Sequence, residues 1–188
     1  MAPDPAEVSA LDTRAPENLA RHHRARDLLA RYNASRSDAP DARQALLKDL
    51  LADWAPGVWI EPPFFCDYGD NIHLGRGVFI NFNCVLLDGG KITIGQGTLL
   101  GPAVQIYTAT HPVTSDERIF ERDGLPAYRT NAAPVTIGKK VWIGGGAIIL
   151  PGIEIGNGTT IGAGSVVTKS VPASVFAAGN PCRVIKPL

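Results

Sequence analysis

The chain has 188 residues, enough to bury one sizeable core and too few to require a second large domain. Lys plus Arg equal Asp plus Glu at 18 each, so no overall field draws nucleic acid or an anionic membrane surface. Cys66, Cys84 and Cys182 are odd in number and lack metal-ligand spacing, which predicts buried free thiols and a reducing compartment.

The stretch Met1 to Asp12 is acidic and Pro-containing, without the basic start and apolar run of a secretory leader. No segment approaches the ~20 apolar residues of a membrane span, so a cytoplasmic protein is expected. Two helices follow, over Pro16 to Tyr32 and Asp41 to Trp54. Leu19, Leu28, Leu29 and Tyr32 share one face of the first, and Leu46, Leu47, Leu50 and Leu51 one face of the second. Pro16 and Pro40 sit where helices begin, and Pro56-Gly57 predicts the second helix end. Residues 1–57 therefore read as a helical segment that covers the open end of what comes next.

Residues 58–188 carry a period that neither a helix nor a sheet has. Ile137, Ile143, Ile149, Ile155, Ile161 and Val167 recur at every sixth position, with small or medium residues four places after the first five. Each hexad predicts a short strand and a corner, the aliphatic side chain pointing into a narrow tube. Three hexads close one coil, so Ile137 should stack on Ile155 and Ile143 on Ile161, ~4.8 Å along the axis. Leu74, Ile80, Leu86 and Ile92 keep the spacing, and Ile94, Leu100 and Ile106 keep it in a register shifted by two around Asp88-Gly89-Gly90, where something should protrude. A second break between Ile106 and Ile137 predicts a protruding loop at about 112–133, long enough to be functional.

The four histidines differ in context. His22 and His23 lie among arginines on a polar helix face, and His73 alternates with Ile72 and Leu74, pointing away from the core. His111 stands at the root of the loop, its backbone restricted by Pro112. An imidazole takes and returns a proton near neutrality, so His111 is a candidate general base, although context alone leaves structural hydrogen bonding open.

The stretches Ile60-Glu61-Pro62-Pro63-Phe64-Phe65-Cys66-Asp67-Tyr68-Gly69, Asn81-Phe82-Asn83, Tyr107-Thr108-Ala109-Thr110-His111-Pro112, Val141-Trp142-Ile143-Gly144-Gly145 and Gly179-Asn180-Pro181-Cys182-Arg183 resemble the maltose/galactoside O-acetyltransferase family. The chain is also similar to the nodulation acetyltransferase. This resemblance, from about Arg24 to Lys186, implies a mainly β chain wound as a left-handed parallel β-helix of hexapeptide repeats. It also implies a homotrimer with active sites between neighbouring subunits, and acetyl transfer from acetyl-CoA to a sugar hydroxyl with no metal required. It assigns His111 as the base and Asn81, with a backbone amide near Gly145, to the oxyanion. Trp142, Gly145, Ala163, Thr168, Lys169, Arg183 and Lys186, together with Asn81, are implied for acetyl-CoA. Asp67 is matched to the acceptor sugar, and Asp88 is read as a second acceptor contact or as a turn-forming residue before Gly89-Gly90. Some relatives carry a second acidic residue where Gly89 stands, and relatives often show a Gly-x-x-Tyr stretch where Ser9-Ala10-Leu11-Asp12 stands, so a role for Asp12 is left open.

Rival classes are a zinc enzyme similar to the γ-class carbonic anhydrases, a scaffold without chemistry, and an acetyltransferase for serine or an antibiotic hydroxyl. The first needs three converging histidines, and only His73 and His111 lie in the repeat.

Overall fold

A computed structural model describes residues 8–188. Met1 to Glu7, over which the absence of a leader was read, lie outside the described residues. The repeat forms a three-sided parallel β-helix. Its first face stacks Asp53–Trp54, Ile72–Leu74, Ile92–Ile94, Val135–Ile137 and Glu154–Ile155. The second stacks Trp59–Ile60, Phe79–Ile80, Leu99–Leu100, Trp142–Ile143 and Thr160–Ile161, and ends in the antiparallel hairpin Val175–Ala178 and Arg183–Pro187. The third stacks Phe64–Cys66, Cys84–Leu87, Gln105–Tyr107, Ile148–Ile149 and Val166–Val167.

Inside, the predicted pairs meet: Ile137 lies against Ile155, Ile143 against Ile161 and Ile149 against Val167. Three such ladders run up the tube, all of them buried. Each aliphatic side chain taken from water there contributes roughly 1.5–3 kcal/mol, and it is the uninterrupted stacking that makes burial complete. The corners hold small hydroxyl residues for a reason beyond size. Buried Thr98, Thr159 and Ser165 donate to the carbonyls of Gly138, Pro172 and Gly162 at 2.8, 2.6 and 2.6 Å, which satisfies polar groups that the tube would otherwise strand. Gly144 serves close approach instead, since a Cβ there would lie 2.5 Å from the amide nitrogen of Ala163 in the next coil.

The coils come in two lengths. Leu74 lies under Ile94, twenty residues on, whereas Ile137 lies under Ile155, eighteen on. The register shift at Asp88-Gly89-Gly90 is therefore a widened corner, and its contents fold inward: Ile92 stacks on Ile72 and both it and Ile94 point into the tube.

Helix α1 (Pro16–Asn33) buries Ala25, Leu28, Leu29 and Tyr32, while Leu19, expected on that face, is 40% exposed. Its last turn closes the free backbone edge of the first coil. The Tyr32 hydroxyl donates to the Ile60 carbonyl at 2.6 Å, and Asn33 donates to the Phe64 carbonyl and accepts from its N–H at 3.0 and 2.9 Å. Helix α2 (Pro40–Leu50) stops four residues short of the expected Trp54. Leu51 turns extended because Asp53 and Trp54 pair with His73 and Leu74, so the β-helix begins inside the segment that helical periodicity claimed. No helix among the described residues is long and apolar enough to cross a membrane.

The loop has structure of its own. Ser115–Arg118 makes one helical turn, Ile119–Arg122 and Leu125–Tyr128 pair as a hairpin, and Asn131–Ala132 returns beside Ala109–Thr110. On the other edge of Asn131–Ala132 lies Ser9–Ala10, antiparallel, which straps the chain's first described strand to the loop stem.

Candidate active site

The candidate residues fall on two corners of the tube. After the third face the chain turns at Asp67, Asp88, the root of the loop and Thr168-Lys169. After the second face it turns at Asn81, Gly145 and Ala163, and the coil-to-coil bonds Asn81 N–H to Leu100 O, Gly101 N–H to Ile143 O and Gly144 N–H to Ile161 O align these into one column. Face three lies between the columns. A single chain therefore does not unite His111 with Asn81 and Gly145.

His111 is exposed, and its Nδ1 lies 2.7 Å from the carbonyl oxygen of Arg129. A carbonyl only accepts, so Nδ1 carries the hydrogen and Nε2 of the neutral ring keeps its lone pair. The ring lines a cavity of about 550 Å³ between the loop and residues 10–14. Across that cavity the Asp12 carboxylate meets Arg122, both oxygens engaged at 3.2 and 3.1 Å, and this contact holds its pKa below the ordinary carboxylate value. Sequence reasoning left Asp12 aside. Its place depends on the pairing of Ser9 with Ala132, which no local pattern announces.

Asp88 corrects an expectation. Its side chain is wholly buried and faces the turn below, where Oδ1 accepts from the N–H groups of Asp67 and Tyr68 at 3.0 and 2.9 Å and Oδ2 from that of Asn71 at 3.3 Å. The contact expected with an acceptor sugar is closed to it; Asp88 shapes the turn that carries Asp67. Burial pushes its pKa up to about 6 against the pull of those N–H groups. Asp67 is half-buried, its pKa raised by burial and opposed by Arg26, 3.8 Å away. Above Gly89 a Cβ would come within 2.8 Å of the Leu11 side chain, so Leu11 occupies that space.

In the other column the Phe82 N–H donates to Asn81 Oδ1 at 2.8 Å, which leaves the Asn81 Nδ2 hydrogens available as donors. Trp142 points outward and is 56% exposed, one rung of an apolar ladder up face two with Trp59, Phe79 and Leu99. Lys169, Arg183 and Lys186 are exposed near the last coils, and none is ion-paired among the described residues. Such cations suit phosphates.

Comparison with known proteins bears on the family and the fold. Residues 134–169 match the family described as bacterial transferase hexapeptide (six repeats), and residues 12–54 match the maltose acetyltransferase hexapeptide capping motif. Nodulation protein L of Rhizobium meliloti (strain 1021) is 51% identical over 156 residues, covering 83% of this chain and 81% of that protein. A galactoside acetyltransferase solved in complex with coenzyme A superposes with a TM-score of 0.88 at 36% identity, covering 95% of this chain and 86% of the other. A maltose O-acetyltransferase from Clostridium difficile 630 gives a TM-score of 0.88 at 39% identity, covering 96% and 92%. The chain is a left-handed parallel β-helix and belongs to the maltose/galactoside O-acetyltransferase family of hexapeptide-repeat acetyltransferases.

Proposed function

We propose that the chain transfers the acetyl group of acetyl-CoA to a sugar hydroxyl by direct attack, with His111 as general base. The observation that carries this reading is the His111 ring itself: Nδ1 is fixed on the Arg129 carbonyl, and Nε2 is left as a proton acceptor on a ring that lines a cavity of sugar size. Nε2 takes the hydroxyl proton as the oxygen forms its bond to the thioester carbonyl. The C–S bond then breaks, and the departing thiolate takes the proton back from Nε2. A thioester needs no further activation, so orientation of two substrates supplies much of the acceleration. Asn81 Nδ2 and a backbone N–H near Gly145 would hold the developing oxyanion. Trp142, Ala163 and Thr168 line the proposed pantetheine path, and Lys169, Arg183 and Lys186 receive the phosphates of CoA. Asp67, on its ordered turn, offers two acceptor oxygens to sugar hydroxyls.

The separation of the two columns supports a trimer in this reading. A closed three-fold assembly that sets the loop corner of one chain beside the Asn81 corner of the next completes the site, and the outward ladder of exposed Trp59, Leu99 and Trp142 with half-buried Phe79 is an apolar surface that such an interface covers. The test is release of free CoA from acetyl-CoA across galactosides, glucosides, chito-oligosaccharides, serine and chloramphenicol. Turnover is expected with a sugar. Turnover with serine or chloramphenicol alone moves the acceptor outside sugars, and none at all leaves a scaffold.

A further inference from the structure

The cavity beside His111 carries more positive charge than a neutral sugar calls for. Among the described residues Arg14, Arg118, Arg122 and Arg129 line it, against a single carboxylate, Asp12. Asp12 is taken up by Arg122. Arg118 spends Nη1 on the carbonyls of Pro112 and Val113, while Arg14 and Arg129 have no carboxylate within ion-pair distance among the described residues. The whole sequence is neutral, so this is a local concentration of one sign around one opening. Elsewhere the pattern differs: Arg21, Arg24 and Arg26 of α1 all meet Asp70 or Asp67.

These cations are also held in place. The Phe120 ring has the Arg122 guanidinium 5.6 Å and the Arg129 guanidinium 5.1 Å from its centroid, contacts that restrict both side chains before anything binds. CoA does not account for them. Its sulfur must reach the base for the acetyl group to move, and its phosphates are a full pantetheine arm from that sulfur. Cations around the base therefore face the other substrate.

We infer that the acceptor is anionic, a sugar or similar hydroxyl compound bearing a carboxylate or a phosphate, and that Arg129 and Arg14 receive its charge. The inference rests on the acetyl-transfer reading above. The Arg129 carbonyl already holds His111, so an anion clasped by the Arg129 guanidinium brings a hydroxyl a few atoms away toward Nε2. The planar fork of a guanidinium matches either oxyanion with two parallel hydrogen bonds.

The experiment compares matched acceptors, glucose against glucuronate and glucose 6-phosphate and galactose against galacturonate, by CoA release at low and high salt. A charged member is expected to exceed its neutral partner about 10- to 100-fold in kcat/KM, the range of one charge-assisted contact. Whichever charged arm is preferred names the anion. The preference should shrink in high salt and collapse in Arg129→Ala, with partial recovery in Arg129→Lys, and the KM for acetyl-CoA should stay put. Equal use of neutral and charged members overturns the anionic acceptor while acetyl transfer stands. A raised KM for acetyl-CoA in Arg129→Ala hands these cations to the cofactor and overturns it too. If no acceptor turns over, the acetyl-transfer reading falls, and calorimetry decides the anion site alone: heat of binding for glucuronate or glucose 6-phosphate that Arg129→Ala abolishes keeps it, and absence of heat removes it.

Discussion

Between Val135 and Val167 each coil takes eighteen residues and its corners are filled by Thr159 and Ser165, whereas from Trp59 to Tyr107 each takes twenty and one corner is filled by a carboxylate. The two extra residues lie in the corner after face three, where the N–H groups of Asp67, Tyr68 and Asn71 find no backbone carbonyl in the neighbouring coil. Asp88 replaces that ladder from within. Regular coils make a rod that satisfies itself through repetition. The widened corner needs a polar side chain to hold it, and there the candidate chemistry gathers: Asp67 on the ordered turn, and two coils further the insertion that presents His111. Departure from the repeat is where a stiff rod acquires a site.

The comparison can be broken first at the loop root. His111→Ala should lower kcat by roughly 10²–10⁴-fold, with the melting curve unchanged because the ring is exposed and outside the tube. Steady-state kinetics beside circular dichroism checks both halves. Equal turnover in the variant would remove His111 from its role.

In the regular half the expected effect is on stability. Ile143 is wholly buried between Leu100 and Ile161, so Ile143→Ala leaves a gap in a ladder that cannot collapse sideways and should cost about 2–5 kcal/mol in denaturant unfolding.

The widened half should answer to pH. Asp88 has a pKa of about 6 in the folded chain against an ordinary value near 3.8 when unfolded, so the folded state holds its proton more tightly. The contribution of this group to stability is complete below pH ~3.8 and lost as pH rises through about 6, a change of at most about 3 kcal/mol. Stability measured across that window, for the wild type minus Asp88→Asn, should fall with rising pH. A flat difference would mean that the carboxylate titrates normally.

The smallest expected effect tests the top of the rod. Replacing Lys169 and Arg183 together by Ala should raise the KM for acetyl-CoA several-fold and leave that for the acceptor, because contacts to remote phosphates act equally in ground and transition states. Higher ionic strength should narrow the gap between variant and wild type. A selective loss of acceptor affinity would place the CoA phosphates elsewhere.

Much of this molecule is legible in one dimension. A period of six in aliphatic residues specifies a coil because every rung repeats the same inward contact, and the stacking of Ile137 on Ile155 follows from arithmetic alone. Prolines at the helix starts and the outward direction of Trp142 are equally local, set by a fixed φ and by strand alternation. Motif resemblance named His111, Asn81 and the cations. Only the tertiary structure decided that Asn81 and Gly145 share one corner and His111 another, that Asp88 turns inward onto the turn of Asp67, that α2 yields at Leu50 to a strand, and that Ser9–Ala10 crosses to the loop and brings Asp12 and Arg14 beside His111. Each of these is settled by a partner far away in the chain, as Ser9 is by Ala132, and a hydrogen bond between such distant residues leaves no periodicity in the sequence around either one.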